Sequence, residues 1–296
     1  MHARNINRAF MTAGSKSVHN MCEILKKPVL GYISDLHLER NTRIHPYDIV
    51  PNMCEILKKP VLGYISDLHL ERNTRIHPYD IVPNSDYLAL CGDNGDPFKN
   101  HYRELLIYAS MNFEHTVFIA GNHEYDGISN PAIVVDRLNE ISHDLPNVEF
   151  LNRTATNIAG YTIIGATLWT NRDKSLISPY DNRYIKKLWT ANVINSMHRQ
   201  DMDWLTHMIG NTPNKKIVLT HHVPTFQLRS SFYKEFPNQF MFYNNLDHLL
   251  NSDDVYAWIC GHSHCKNTKV INGTYCGINA YGVNRKVMPK LAHIDI

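Results

Sequence analysis

The chain has 296 residues, 43% of them hydrophobic and 20% charged, with a formal net charge of +2. That is enough apolar material for a sizeable core, and so small a net charge gives no electrostatic argument for a nucleic-acid partner. No stretch reaches the ~20 apolar residues of a membrane helix, so no membrane partner is expected.

The first feature along the chain is residues 1–20. They lack the apolar core of a secretory signal and read as a tail with slight transit-peptide character. Residues 21–52 then recur, without one change, as residues 53–84. Each copy carries an Asp-Leu-His triplet, Asp35-Leu36-His37 and Asp67-Leu68-His69. Two identical copies are too few and too alike for a solenoid, whose units diverge and stack in threes or more. The reading is a tandem duplication: an N-terminal extension over 1–52 and one domain over 53–296.

Within that domain, "PVLGYIS" (60–66), "YLALC" (87–91), "TVFIA" (116–120), "YTIIGATLW" (161–169), "KIVLTHH" (216–222) and "VYAWICGH" (255–262) read as buried strands. Residues 102–113, 132–145 and 194–210 have helical spacing, and 269–278 reads as a hairpin turning on Asn272-Gly273. The alternation is that of a layered α/β domain.

The polar clusters fall at particular places in this alternation. "SDLH" follows the first strand, "CGDNGD" the second and "GNHE" the third; "THH" and "CGHSHC" end two later strands. Ligands of α/β sheets bind beyond the carboxyl ends of strands, so five clusters there converge on one crevice. Singly each is a common turn or a structural histidine. The two histidines of "GHSH", two residues apart, are expected to point the same way. Together the clusters supply carboxylates, an amide oxygen and several imidazoles, from a chain with 18 histidines. That mixture suits two adjacent divalent ions, Mn, Fe or Zn. Such a pair produces hydroxide at neutral pH and clamps the oxygens of a phosphoryl displacement.

The series D-x-H, GD, GNH(E), strand-end His and GHxH resembles the signature of the calcineurin-like metallophosphoesterases, from about Val61 to Tyr281. The phrases "SDLHLE", "GNHEYDG", "THHVPT" and "CGHSH" most resemble a subgroup of small phosphohydrolases. The resemblance implies an α/β four-layer αββα sandwich with a two-metal site at one end. It implies Asp67, His69 and His264 on one ion, Asn122, His221 and His262 on the other, and Asp93 bridging both. His222 is the rival to His221. His123 is then the catalytic histidine, and a metal-bridging hydroxide attacks phosphorus in line, without a covalent enzyme intermediate. Glu71 and Glu124 read as supporting or surface groups, Asp96 as a loop anchor, and the segments around Arg72–Arg75 and Asn182–Trp189 as solvated surface.

Only one first strand fits the sheet. With Asp67, one ordinary connection leads to Asp93. With Asp35 and His37, the whole second copy becomes a loop, which compact domains avoid. Asp67 and His69 are therefore the expected pair and Asp35 and His37 the alternative. The expected substrate is a phosphomonoester or small phosphodiester. A nuclease of the same superfamily and a metal-binding protein without turnover are the competing readings. The six cysteines include no C-x-x-C pair and read as reduced thiols of a cytoplasmic protein. The sequence leaves oligomeric state open.

Overall fold

The computed structural model describes residues 59–171, 189–230, 239–251, 253–283 and 287–296. In chain order these form β1 (Val61–Ile65), β2 (Tyr87–Cys91), α1 (Asn100–Asn112), β3 (His115–Ile119), α2 (Pro131–His143), β4 (Val148–Phe150), β5 (Thr154–Ile158), β6 (Tyr161–Ala166), α3 (Ala191–Asn211), β7 (Lys216–Thr220), β8 (Val255–Cys260), β9 (Lys266–Ile271), β10 (Thr274–Asn279) and β11 (Ala292–Asp295).

The strands make two mixed sheets, ordered β11-β1-β2-β3-β4 and β5-β6-β7-β8-β10-β9. β1 to β4 run parallel, and antiparallel β11 closes one edge. In the second sheet β6, β7, β8 and β10 run parallel, with antiparallel β5 and β9 outside them. Parallel strands need cover on both faces, and the side chains of these strands sort accordingly. Leu62, Tyr64, Ala89, Cys91, Val117 and Ile119 meet Ile163, Ile217, Leu219, Ala257 and Ile259 between the sheets. Their neighbours one residue away point outward. Ile65, Leu88, Leu90 and Phe118 pack with Leu105 and Leu106 of α1 and Val134 and Leu138 of α2. Ile164, Val218 and Trp258 pack with Leu205 and Ile209 of α3. Three apolar clusters thus separate four layers, the expected αββα sandwich. α3 crosses between them, because its first turns, at Ile194, join the cluster of the first sheet.

Local chemistry fixes the ends of these elements. Asn130 caps α2 by accepting from the Ala132 N–H, and Pro131 occupies the first turn, where no N–H partner is needed. The β9–β10 hairpin turns on Asn272 (φ 49°) and Gly273 (φ 82°), the left-handed pair that a two-residue turn requires. β4, β5 and β11 are strands that periodicity did not predict. They are short or at an edge, and β5 reads "TATNI", with little apolar signal. The first strand comes from the second copy of the repeat, seated between β2 and β11. The extension 1–52, with Asp35 and His37, lies outside the described residues.

Candidate metal centre

The loops after β1, β2, β3, β7 and β8 meet at the carboxyl ends of their strands. The β1 loop is stitched to the β2 loop by Asp67 N donating to Gly92 O at 2.9 Å and His69 N to Asp93 O at 2.9 Å. Five site residues have left-handed backbones: Asp67 (φ 57°), His69 (46°), Asp93 (54°), His262 (65°) and His264 (47°). For non-glycine residues this costs about 1–3 kcal/mol each, so the surrounding structure must enforce it. The turns aim the side chains into one crevice. Gly121 is needed beside them, because a Cβ there would stand 2.6 Å from Asp93 N and 2.7 Å from the His221 ring.

Two groups of donor atoms result. Asp67, His69, Asp93 and His264 form one, and Asp93, His221 and His262 the other; within each, the atoms lie within 4.8 Å of one another. Asp93 belongs to both. Asn122 joins the second group with Oδ1 3.1 Å from His221 Nε2. Each carboxylate has one oxygen tied down and one aimed inward. Asp67 Oδ2 accepts from Ser66 Oγ at 2.5 Å and His262 N at 3.0 Å. Asp93 Oδ1 accepts from His123 N at 2.8 Å. The other two oxygens, Asp67 Oδ1 and Asp93 Oδ2, are buried and accept no hydrogen bond. Ring nitrogens stand near them without hydrogen-bond alignment: His264 Nε2 is 3.3 Å from Asp67 Oδ1, and His221 Nε2 is 3.2 Å from Asp93 Oδ2.

Imidazole nitrogens also face one another, His69 Nε2 and His264 Nε2 at 3.1 Å and His262 Nδ1 and His221 Nε2 at 3.2 Å. Ligands about 2.1 Å from one ion are about 3.0 Å apart at an octahedral edge and about 3.4 Å at a tetrahedral one. The spacing and the orphaned carboxylate oxygens therefore fit cations. Two of the far nitrogens are occupied as metal-binding histidines require: His69 Nδ1 lies 3.2 Å from Glu71 Oε1, and His221 Nδ1 lies 2.9 Å from Cys91 O.

The electrostatics fit as well. Burial alone would raise both carboxyls. The His264 imidazole nonetheless brings Asp67 below its ordinary value, and His221 and His123 bring Asp93 well below. In turn, burial disfavours the imidazoliums, but Asp93 lifts His221 to about 9. His262 goes the other way: burial, then His222 and His221, hold it well below its usual value and therefore neutral.

His123 belongs to neither group. Its ring lies edge-on to His69 with centroids 4.9 Å apart, and Nε2 faces Asp93 Oδ2 at 4.0 Å. Asp93, against the effect of burial, raises it to about 9, helped by a 2.7 Å contact between Nδ1 and Asp126 Oδ2. His222 packs behind the donor groups, its ring 4.1 Å from that of His262 and 5.5 Å from Trp169. The two histidines of "GHSH" share the crevice but end in different groups, because both have left-handed backbones instead of strand geometry.

Three contributions were not legible from motifs. Glu124 is buried and accepts from the backbone N–H groups of Asp93 (2.9 Å), Asn94 (2.8 Å) and Gly121 (2.8 Å), locking the second and third loops together. Arg72 is part-buried in ion pairs, where basic composition alone reads as solvated surface. Asp126 stands three residues after His123, and that spacing within one turn was the available signal. Asn279 ties β10 to its neighbours, donating to Tyr64 O and Lys290 O. Asp96 Oδ1 accepts from Phe98 N as a loop anchor.

A family model described as calcineurin-like phosphoesterase matches residues 31–266. An uncharacterized protein of Acanthamoeba polyphaga mimivirus is 28% identical over 236 residues, 71% of this chain and 84% of the viral protein. The crystal structure of phosphopantetheinyl hydrolase from Mycobacterium tuberculosis is similar in fold. It aligns with a TM-score of 0.58 at 15% identity, over 80% of this chain and 96% of that one.

Proposed function

From membership of the calcineurin-like phosphoesterase family, to which this chain belongs, we propose that it hydrolyses a phosphomonoester or small phosphodiester at the crevice described above. Asp67, His69, Asp93 and His264 would hold one divalent ion, and Asp93, Asn122, His221 and His262 the other. The observation that carries this reading is Asp93, the residue common to both donor groups, whose buried Oδ2 accepts no hydrogen bond. When bound, two such ions supply a hydroxide nucleophile and neutralise charge at the phosphoryl group.

The chain's own residues do the rest. Asp67 and Asp93 bring the negative charge that retains cations. Ser66 Oγ and the backbone N–H groups of His262 and His123 hold those carboxylates by one oxygen each, so the other stays aimed. His123 turns Nε2 toward the reacting space, where a protonated ring can give its proton to the departing oxygen. Mn, Fe and Zn all suit this mixed oxygen and nitrogen set.

The test uses the full chain with Mn²⁺, assayed on p-nitrophenyl phosphate and bis-p-nitrophenyl phosphate beside Asp35→Asn and Asp67→Asn. Hydrolysis abolished by Asp67→Asn and kept by Asp35→Asn is the expected result. Loss through Asp35→Asn alone reverses the roles of the two copies. Folded, Mn²⁺-binding chain without turnover on either ester removes the hydrolase reading.

A further inference from the structure

We propose that Glu71, Arg72 and Asp126 form a positioning clamp, in which Arg72 ties together the two carboxylates that orient the rings of His69 and His123. The inference rests on the hydrolase reading for its kinetic consequence and on side-chain geometry for its existence. Arg72 Nε stands 3.2 Å from Glu71 Oε1 as an ion pair, and Arg72 Nη2 donates to Asp126 Oδ2 at 3.0 Å. Glu71 Oε1 is also 3.2 Å from His69 Nδ1, and Asp126 Oδ2 is 2.7 Å from His123 Nδ1. One guanidinium thus joins a donor residue of the centre to the histidine beside it.

The proton on His123 Nδ1 can be placed. Arg72 Nη2 is 3.1 Å from that nitrogen, but a guanidinium offers only N–H groups, and the shorter contact is to a carboxylate. Nδ1–H therefore donates to Asp126, and Nε2 is left facing Asp93 Oδ2. The guanidinium is planar and rigid, and its fork sets the separation of the two carboxylates it bridges. Side-chain exposures of 30% for Arg72 and 26% for Asp126 mean these pairs add little to folding; their effect is on ring orientation. Sequence places the parts in two short phrases, "HLER" and "HEYD", one after β1 and one after β3.

In the reaction, oxygen from water bonds to phosphorus while the bond from phosphorus to the leaving oxygen breaks. The electron pair of that bond passes to the leaving oxygen, which takes the proton from His123 Nε2; the proton given up by the attacking water passes to solvent, and the ring regains one proton from solvent. A ring fixed by Asp126 matters most when the leaving oxygen is basic.

The experiment compares p-nitrophenyl phosphate, whose phenolate departs without a proton, with glycerol 2-phosphate, whose alkoxide does not. It uses the Mn²⁺-loaded full chain. For Asp126→Asn, kcat on the alkyl ester is expected to fall by about 10²-fold, the size of a lost general acid. For Arg72→Gln the fall is roughly tenfold, through misplacement. The aryl ester should lose under about threefold, and bound Mn²⁺ should not change in Asp126→Asn, whose carboxylate faces no donor residue of the centre. Equal losses on both esters with metal retained overturn the proposal. Arg72→Lys, which places a point charge but not a fork, should behave as Arg72→Gln; full activity there overturns the bridging role. A readout independent of turnover is the Nδ1–H signal of His123 in ¹⁵N-histidine spectra of the metal-free chain, assigned by its loss in His123→Gln. It should be present in the parent and lost or shifted in Asp126→Asn; an unchanged signal overturns the clamp. If the parent hydrolyses neither ester, the hydrolase reading fails, and the imidazole signal alone decides the clamp.

Discussion

His69 and His123 lie on one flank of the crevice, and their rings are set by Glu71 and Asp126, whose side chains are 21% and 26% exposed and share Arg72. His221 and His262 lie on the other flank, and among the described residues no side-chain carboxylate orients their far sides. His221 Nδ1 meets the buried Cys91 carbonyl, and the His262 ring is packed between those of His222 and Phe242, with centroids 4.1 and 5.0 Å away. The same residue type is therefore held by charge near solvent on one side and by close packing on the other. An exposed ionic arrangement changes with small substitutions and with ionic strength. A packed one resists both, and its neutral His262 follows from burial among other imidazoles.

Among the described residues only Asp93 belongs to both donor groups, so its loss should have the largest effect. In Asp93→Asn the centre loses the charge common to both donor groups, while Asn keeps the volume and an acceptor for the His123 N–H. Hydrolysis is expected to fall by more than about 10³-fold, and titration with Mn²⁺ should show both binding events weakened. A variant that kept one tight Mn²⁺ site intact would show that the flanks bind independently.

Glu71→Gln acts on the charged flank alone. The amide can still accept from His69 Nδ1–H but no longer balances Arg72 or strengthens the ring as a donor. Loss of such a partner costs about 10–100-fold in metal affinity. Calorimetric titration should therefore show one of two Mn²⁺ affinities weakened by that factor and the other unchanged. Weakening of both sites would mean that the flanks are coupled through Asp93.

The same division bears on what the sequence could tell. Donor residues come from motifs with fixed spacing beyond apolar strands, and each of Asp67, His69, Asp93, Asn122, His221, His262 and His264 lies where its strand-end cluster predicts. The strands are equally plain: alternate residues of "YLALC" and "YAWIC" fill two different cores, so neither face is polar. Less legible were the residues whose roles depend on neighbours distant in sequence. Arg72 looks like any surface arginine until Asp126, on another loop, stands 3.0 Å away. Glu124 looks like a turn glutamate until three backbone N–H groups converge on it. The choice between adjacent His221 and His222 was invisible for a different reason. It depends on which ring reaches Asp93 at the end of β7, a matter of backbone direction and not of residue type. β11 escaped notice because four residues, "AHID", satisfy the edge of β1 through backbone pairing alone.

Phe242 provides the smallest and sharpest test of the packed flank. Its half-buried ring is tilted 38° against His262, and the Phe242 carbonyl accepts from Val223 N at 3.1 Å. Phe242→Leu keeps that backbone bond and most of the apolar volume while removing the flat face. If packing as a whole sets the His262 ring, Leu fills enough of the space, and Mn²⁺ affinity should change by less than about threefold, below the range for losing a hydrogen-bonded partner. Thermal stability should drop by about 1 kcal/mol, the usual cost of a volume-conserving apolar exchange. A tenfold loss of affinity at unchanged stability would mean that the Phe242 ring orients His262 specifically. The packed flank would then depend on one contact, as the charged flank depends on Arg72.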